Sequence, residues 1–477
     1  MDLVLPDALP TEDERSAVDA VLGPPSSGWT GGARAIEAEG RVARRGHDAR
    51  EQRHRLLPAL HALQSRAGWI SPGGLRYVCE RLTVPPAEAY GVATFYAMFS
   101  TEPRPKTVLH LCDDIACKVA GADELIDDVT RQAGEGQVVR SPCLGMCERA
   151  PAGLLQTAGD ESNDTAMGPV SMSLLGPFLH GGPWTVGSAG SDAAPQPRDG
   201  LLLLRRVGVV DPSSLDEYRA HGGYEALRSA VELGPEGVIR ELKDSKLLGR
   251  GGAAFPAGVK WEAVANQPVR PHYFVCNADE SEPGTFKDRV LMEQDPFAVL
   301  ESLTIAGFAT GSETGFIYIR GEYPHATSVL ERAIDAAYAH GFLGANVMGE
   351  GFAFDVELRR GAGAYICGEE TSLFNSIEGK RGEPRNKPPF PVEKGLFGKP
   401  TGINNVETLV NVLEILRIGG LEYTKIGTPD STGPRLFCLS GCVERPGVYE
   451  VEHGITLREL LELAGGVRGG KALKAIL

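Results

Sequence analysis

The spacing of apolar positions changes several times along this chain, and the changes divide it. Residues 1–45 show no period and contain Gly23-Pro24-Pro25-Ser26-Ser27-Gly28, so a weakly ordered tail is expected there. From Arg50 onward, Leu56, Leu57, Leu60 and Leu63 recur as one face of a helix does, closed by Gly68 and Ser71-Pro72. Leu75–Leu82 and Ala87–Phe99 predict two more helices, each entered through proline. Thr107–Leu111 alternates as a strand and runs straight into Cys112. A helix over Ala122–Gln132 follows, then the short apolar pair Val138-Val139. Residues 188–204 open with SAGSDAAPQPRDG, a small-residue, proline-containing stretch that reads as a linker.

Beyond the linker, strand and helix patterns alternate. Strands are expected at Tyr273–Cys276, Phe316–Ile319 and Phe352–Leu358, and helices at Pro296–Ala309, Ala326–His340 and near Glu370–Ile377. This is an α/β pattern with a parallel sheet. Gly379–Gly402 is a long irregular stretch, and a loop of that length in a compact domain is usually functional. From Arg435 the order strand, turn, strand, helix (Leu457–Leu463) predicts a small α+β unit.

At 477 residues the chain has room for two to four domains. Its 42% hydrophobic and 23% charged content is that of a globular protein. The net charge of −15 disfavours nucleic acid and anionic membrane as main partners, which reward Lys and Arg. No apolar run approaches a membrane span, and Met1–Ala20 lacks the positive charge and apolar core of a signal peptide, so a cytoplasmic location is expected. There, nine cysteines point to metal or redox chemistry before disulfides.

Four of those cysteines form two pairs. Cys112 and Cys117 are C-x4-C, Cys143 and Cys147 are C-x3-C, and 25 residues separate the pairs. Soft thiolates in this arrangement suit an iron–sulfur cluster or zinc. Zinc sites usually use C-x2-C knuckles, and four unligated structural thiols are the third reading. The spacing favours a [2Fe–2S] centre. Cys79 has no partner at ligand spacing and reads as a buried thiol. The segment Leu56–Ala152, with LLPALHALQSRAGWIS, YGVATFYAMF, CDDIAC and CLGMCERAP, resembles the thioredoxin-like ferredoxin subunit of respiratory complex I. That resemblance implies that the aromatic residues of YGVATFYAMF are core.

The second half carries a different set of motifs. Leu248–Trp261 is a glycine-rich loop in which Gly249, Gly251, Gly252 and Gly258 let main-chain N–H groups approach a phosphate, with Lys260 as a nearby cation. It lacks the Gly-Lys-[Ser/Thr] ending of a Walker A loop. Cys276-Asn-Ala-Asp-Glu-Ser-Glu-Pro-Gly284 follows a strand, and ligands bind outside the carboxyl ends of parallel strands, so Asn277, Asp279, Glu280 and Glu282 are expected to project into the crevice. A solvated strand-end turn is the plainer account of the same residues. Tyr365-Ile-Cys-Gly-Glu-Glu-Thr371 opens a helix, where Glu369 and Glu370 complement the dipole whether or not they bind anything. Lys387-Pro-Pro-Phe-Pro391 is a rigid loop with one cation and one aromatic, and Asn404-Asn405-Val-Glu-Thr408 opens a further helix.

In combination and in this order, from about Tyr224 to the end, these motifs resemble the flavin-binding subunit of complex I. They are also similar to diaphorase subunits of NAD-reducing hydrogenases and NAD-linked formate dehydrogenases. The whole chain therefore resembles the E-type and F-type subunits of a complex I-type NADH dehydrogenase, fused in one polypeptide. The resemblance implies an α/β protein in three parts. Residues 46–187 would be a thioredoxin-like [2Fe–2S] domain with N-terminal helices, residues 205–430 a Rossmann-like FMN/NADH domain, and residues 431–477 a β-grasp domain of SLBB type. FMN contacts are implied at Gly249, Gly251, Lys260, Asn277, Asp279, Glu280, Tyr365, Gly368, Glu369, Asn404, Asn405 and Thr408. NADH contacts are implied at Phe255 and Phe390, stacking on adenine, and at Glu282, Glu370 and Lys387. Cys112, Cys117, Cys143 and Cys147 would ligate the [2Fe–2S] cluster. Ala254 and Ala257 stand where many members have glycine and threonine.

The implied activity is hydride transfer from NADH to FMN, with electrons passing on to iron–sulfur clusters and no side chain acting as nucleophile or acid. The family's [4Fe–4S] ligands, C-x2-C-x2-C plus a distant Cys, are absent from this chain. Cys438 and Cys442 read as structural thiols and do not replace them. The implied partners are other iron–sulfur subunits of a multi-subunit oxidoreductase, docked peripherally at the inner face of the plasma membrane. An alternative is a scaffold that keeps FMN and [2Fe–2S] without sustained turnover, and a zinc-stabilised nucleotide-binding protein is a third.

Overall fold

A computed structural model describes residues 7–25, 51–180, 193–197 and 199–477. The expected tail (residues 1–6 and 26–45) and linker (188–192 and 198) lie partly outside the described residues. Where the tail is described it is ordered. Glu12–Leu22 is a helix that begins with a capping box between Thr11 and Glu14 and buries Val18. Glu14 also accepts from the Ser71 hydroxyl, so the cap ties this helix to the next ones.

The expected helices form at Leu56–Ala67, Pro72–Leu82 and Pro86–Ala93. The third stops short of Phe99. The N–H groups of Ala97 and Met98 donate to Gly363 and Ala362 across the molecule, at 3.0 and 2.9 Å, which a continued helix would forbid. Tyr96 and Phe99 are core as expected, but Tyr90 is exposed.

Two four-stranded sheets follow. The first runs β2-β1-β3-β4 from β1 (Thr107–Cys112), β2 (Val138–Ser141), β3 (Gly153–Thr157) and β4 (Asn163–Met167). β1 is parallel to β2 and antiparallel to β3, and β3–β4 is a hairpin. The second is all parallel in the order β7-β6-β5-β8, from β5 (His272–Ala278), β6 (Ser312–Ile319), β7 (Asp355–Arg360) and β8 (Thr401–Asn405). β8 emerges at the end of the stretch expected to be irregular.

Alternate residues of this second sheet enter different cores. Phe274, Cys276, Ala278, Ile317 and Ile319 pack with the helices Glu225–Asp244, Pro296–Thr310 and Val406–Ile418. Val275, Phe316, Tyr318 and Ile403 pack with Leu56, Leu60, Leu63 and Tyr96 of the N-terminal helices. Both faces are thus buried, as a parallel sheet requires. The helices expected to belong with the thioredoxin-like domain thus cover one face of the second sheet. Residues 56–99 share the core of the second sheet, and the first sheet has a separate core around Leu109, Leu111, Ile126 and Leu154.

The described part of the expected linker packs against the rest of the chain. Ala193 and Ala194 are buried, and the Ala193 carbonyl accepts from Val448 at 2.7 Å. A hairpin of Pro434–Leu439 and Gly447–Glu452 places the Glu450 carboxylate under Leu202, Leu203 and Leu204, whose N–H groups donate at 2.7, 2.9 and 2.9 Å. Among the described residues no helix is long and apolar enough to cross a membrane.

Candidate functional site

The chain runs β5, β6, β7 outward to one side and then returns to pair β8 on the other side of β5. That reversal opens a crevice at the carboxyl ends of β5 and β8, the topological switch point of an open α/β sheet. The register sets Cys276 opposite Asn404 and Asn277 opposite Asn405, so two of the sequence motifs meet there.

The glycine-rich loop closes one wall. Gly249 N–H donates to the Phe255 carbonyl at 3.0 Å and Arg250 N–H to Thr408 Oγ1 at 2.8 Å, fixing both ends of the loop. Residues 251–256 are exposed between those ties. A Cβ on Gly251 would lie 3.1 Å from Asn405, and Gly252 has φ +114°, so a side chain at either would crowd or strain the loop. The loop leads into the helix Ala257–Ala265, whose Lys260 donates to the Ile403 carbonyl at 2.9 Å and whose Trp261 donates to Asn404 Oδ1 at 2.8 Å. Burial lowers the Lys260 pKa, so an anion in the crevice would favour its charged form.

The β5 end forms the floor. Asn277 Nδ2 donates to the Gly368 carbonyl at 2.9 Å, joining β5 to the Tyr365–Gly368 turn. Asp279 is half-buried, its Oδ2 is buried and has no hydrogen-bond partner among the described residues, and desolvation pushes its pKa up to about 7. An unpaired buried acceptor is what a ligand donor would satisfy. At the mouth, Tyr365 Oη donates to Glu282 at 2.5 Å, and Lys387 Nζ bonds Glu369 at 2.9 Å and Glu370 at 2.5 Å. Phe255, Tyr365 and Phe390 are 50%, 62% and 53% exposed, so three aromatic faces stand open to solvent. Phe255 also lies 5.9 Å from the Lys260 ammonium.

Glu280 departs from expectation. Its carboxylate turns away from the crevice, accepting from the N–H groups of Asp288 and Arg289 at 2.9 and 3.0 Å and from Tyr323 Oη at 3.1 Å. It thereby caps the helix Lys287–Gln294, and burial lifts its pKa to about 7. Asn405 and Thr408 are likewise committed. Asn405 caps the helix Val406–Ile418 through Glu407 N–H and donates to Asp288 at 2.6 Å, and Thr408 holds the loop at Arg250.

The four paired cysteines come together, all buried. Cys112 lies beside Cys117 and Cys143, and Cys143 Sγ lies 3.5 Å from Cys147 Sγ. Four buried thiols gathered in one place are a soft donor set that suits an iron–sulfur cluster. Cys438, by contrast, is half-buried and accepts from Phe286 N–H at 3.1 Å, apart from the four paired cysteines.

The cysteine pocket abuts the crevice. Gly284, on the turn after β5, lies beside Cys143 and Cys147. Arg320, directly after β6, donates to the Cys143 carbonyl, and Arg289 to the Gly145 carbonyl. The sequence assigns no role to Arg320 or Arg289; their burial and these carbonyl contacts single them out.

Known proteins show the same order of parts. Family models match the thioredoxin-like [2Fe–2S] ferredoxin over residues 42–166, the Nuo51 FMN-binding domain over 242–414 and the SLBB domain over 436–476. The chain is 52% identical over 276 residues to the F-type subunit of the NADH-quinone oxidoreductase of Aquifex aeolicus (strain VF5), covering 58% of this chain and 65% of that one. It is 36% identical over 436 residues to the alpha subunit of the NAD-reducing hydrogenase HoxS of Cupriavidus necator, covering 87% of this chain and 70% of that one. The crystal structure of an NAD+-reducing [NiFe]-hydrogenase in the air-oxidised state superposes with a TM-score of 0.72 at 31% identity, over 87% of this chain and 70% of that one. The chain spans under two thirds of the length of the NADH-quinone oxidoreductase relatives it matches, 65% and 66% for two of them.

Proposed function

Because the chain belongs to the family that joins a thioredoxin-like [2Fe–2S] ferredoxin, a Nuo51-type FMN-binding domain and an SLBB domain, we propose that it is an NADH-oxidising flavin module, a diaphorase. The observation that carries the reading is the meeting of the glycine-rich loop, the β5 end and the β8 end at one switch-point crevice, with the four-sulfur pocket directly behind it.

Bound in that crevice, FMN would accept a hydride and release its electrons singly. Gly249 and Gly251 let the loop backbone approach the phosphate, and Lys260 supplies the adjacent cation. Asp279, Asn277, Asn404, Gly368, Glu369 and Tyr365 would hold the flavin, with Asn404 oriented by Trp261. Glu280, Asn405 and Thr408 act from behind, holding the turn, the helix start and the loop. Phe255 and Phe390 offer faces for adenine stacking, with Glu282, Glu370 and Lys387 as hydrogen-bonding partners of the nucleotide. Cys112, Cys117, Cys143 and Cys147 would hold a [2Fe–2S] cluster. No side chain needs to gain or lose a proton at a reacting carbon; the protein orients the two rings and keeps water out. Further iron–sulfur subunits are the proposed partners, with attachment at the inner face of the membrane through them.

Purified protein reconstituted with FMN, iron and sulfide is expected to be yellow-brown, to bleach with NADH and to reduce ferricyanide continuously. Asp279→Ala is expected to lower FMN affinity at least tenfold in a fluorescence titration. Colourless protein on which NADH has no effect would falsify the reading. Bleaching without turnover would favour a non-turnover scaffold.

A further inference from the structure

Arg320 reaches two domains with one side chain. It is 3% exposed and follows the last residue of β6. Nη1 donates to the Glu280 carbonyl at 2.6 Å, on the crevice floor, and Nη2 donates to the Cys143 carbonyl at 2.6 Å, in the sulfur pocket. The next residues reinforce the junction. Tyr323 bonds Glu280 and packs so closely under Gly145 that a Cβ there would lie 2.1 Å from its hydroxyl. Arg289 also touches the cysteine loop, but two carboxylates, Glu148 and Glu293, balance its charge. Among the described residues Arg320 pairs directly with one carboxylate, Glu322, at 2.8 Å, and Asp279 lies within electrostatic range.

We propose that Arg320 is a positioning residue for electron exchange between the crevice and the cysteine pocket. Its guanidinium fixes the Glu280 and Cys143 carbonyls in one rigid frame, and its buried charge favours the reduced state of a cluster held by the neighbouring cysteines. The proposal rests on the [2Fe–2S] reading above. Reduction adds one electron to the cluster, with no bond made or broken, and makes it one unit more negative. A cation in a buried, weakly screened position stabilises that added charge, and Glu322, the counter-charge, opposes it. Bonds to two carbonyls in different domains are what the planar fork of arginine provides and a lysine ammonium reproduces less rigidly.

The test is an EPR-monitored redox titration of the intact, reconstituted chain, with dithionite as reductant and visible circular dichroism as the measure of cluster content. Arg320→Met is expected to lower the reduction equilibrium constant of the cluster at least tenfold, about 59 mV for one electron, while FMN content is unchanged. Glu322→Gln is expected to move the potential in the opposite direction. Arg320→Lys is expected to recover most of the potential but to broaden the EPR signal, because the frame is looser. A merely structural role gives shifts of the same sign, or none, in the Met and Gln variants, and either result overturns the proposal. If Arg320→Met does not accumulate folded, the sign of the Glu322→Gln shift decides alone. Wild-type protein without any cluster signal sinks the functional reading itself, whereas a normal signal with unmoved potentials sinks only the role of Arg320.

Discussion

Gly145 occupies the left-handed region at φ +66° with Tyr323 pressed against it, so two independent constraints demand glycine. Gly145→Ala is expected to displace the cysteine loop, and the variant should lose most of its cluster circular dichroism while still binding FMN. Ala254 presents the opposite case. It is a non-glycine residue at φ +52° in the exposed part of the loop. Relieving a left-handed alanine gains about 1–2 kcal/mol, and the added freedom of glycine in the unfolded chain costs about 0.4–1 kcal/mol. Ala254→Gly should therefore raise stability by roughly 0.5 kcal/mol, visible as a higher denaturant midpoint at unchanged slope.

The hairpin Pro434–Leu439/Gly447–Glu452 is held to the rest of the chain through the Glu450 carboxylate. Burial lifts the Glu450 pKa from 4.5 to about 7, despite three N–H donors. A carboxyl whose folded pKa is raised is protonated more readily in the native state, so its contribution is complete below pH 4.5 and is lost as pH rises toward 7. The expected loss across that window is on the order of 3 kcal/mol. Urea titrations over this pH range should show the slope. Glu450→Gln should flatten it, while lowering stability at the acid end by about 1–3 kcal/mol through imperfect replacement of the acceptors. An unchanged slope would mean that other buried carboxylates, Asp279 and Glu280 among them, set the pH response. The end of the third N-terminal helix shows the same precedence of tertiary bonding: Ala97 and Met98 leave the helix because Gly363 and Ala362 accept their N–H groups.

At the scale of the molecule, the N-terminal helices are a lid over the second sheet, although in sequence they precede the first. Leu60 is fully buried in the core that contains Val275, Phe316 and Ile403. Leu60→Ala should destabilise by about 2–5 kcal/mol. The loss should appear as FMN release at a lower temperature, with the cluster unaffected at temperatures below that release. Removal of residues 1–103 should leave the apolar face of the sheet uncovered and yield aggregated protein, which size-exclusion chromatography would detect. A flavin domain that stays monomeric without those residues would refute this division of the chain.

Local chemistry wrote much of this into the chain. The helices Ala122–Gln132, Glu370–Ile377 and Leu457–Leu463, the strand cores, and the pairing of four cysteines were legible because each rests on periodicity or spacing within a few residues. So was the placing of Asn277 and Asp279 at a strand end and of Lys260 beside the glycine-rich loop, because those motifs carry their own geometry, whereas Phe255 and Phe390 were singled out only through the family resemblance. β8 was not legible. Its residues take strand form by pairing with β5, far earlier in the chain, with Asn404 opposite Cys276, and no local pattern reports that partner. The inward turn of Glu280, the clamp at Glu450, the packing of the N-terminal helices on the second sheet and the reach of Arg320 were equally hidden. Each is settled by which distant backbone groups need a partner when water is excluded, and that need exists only once the sheets have packed.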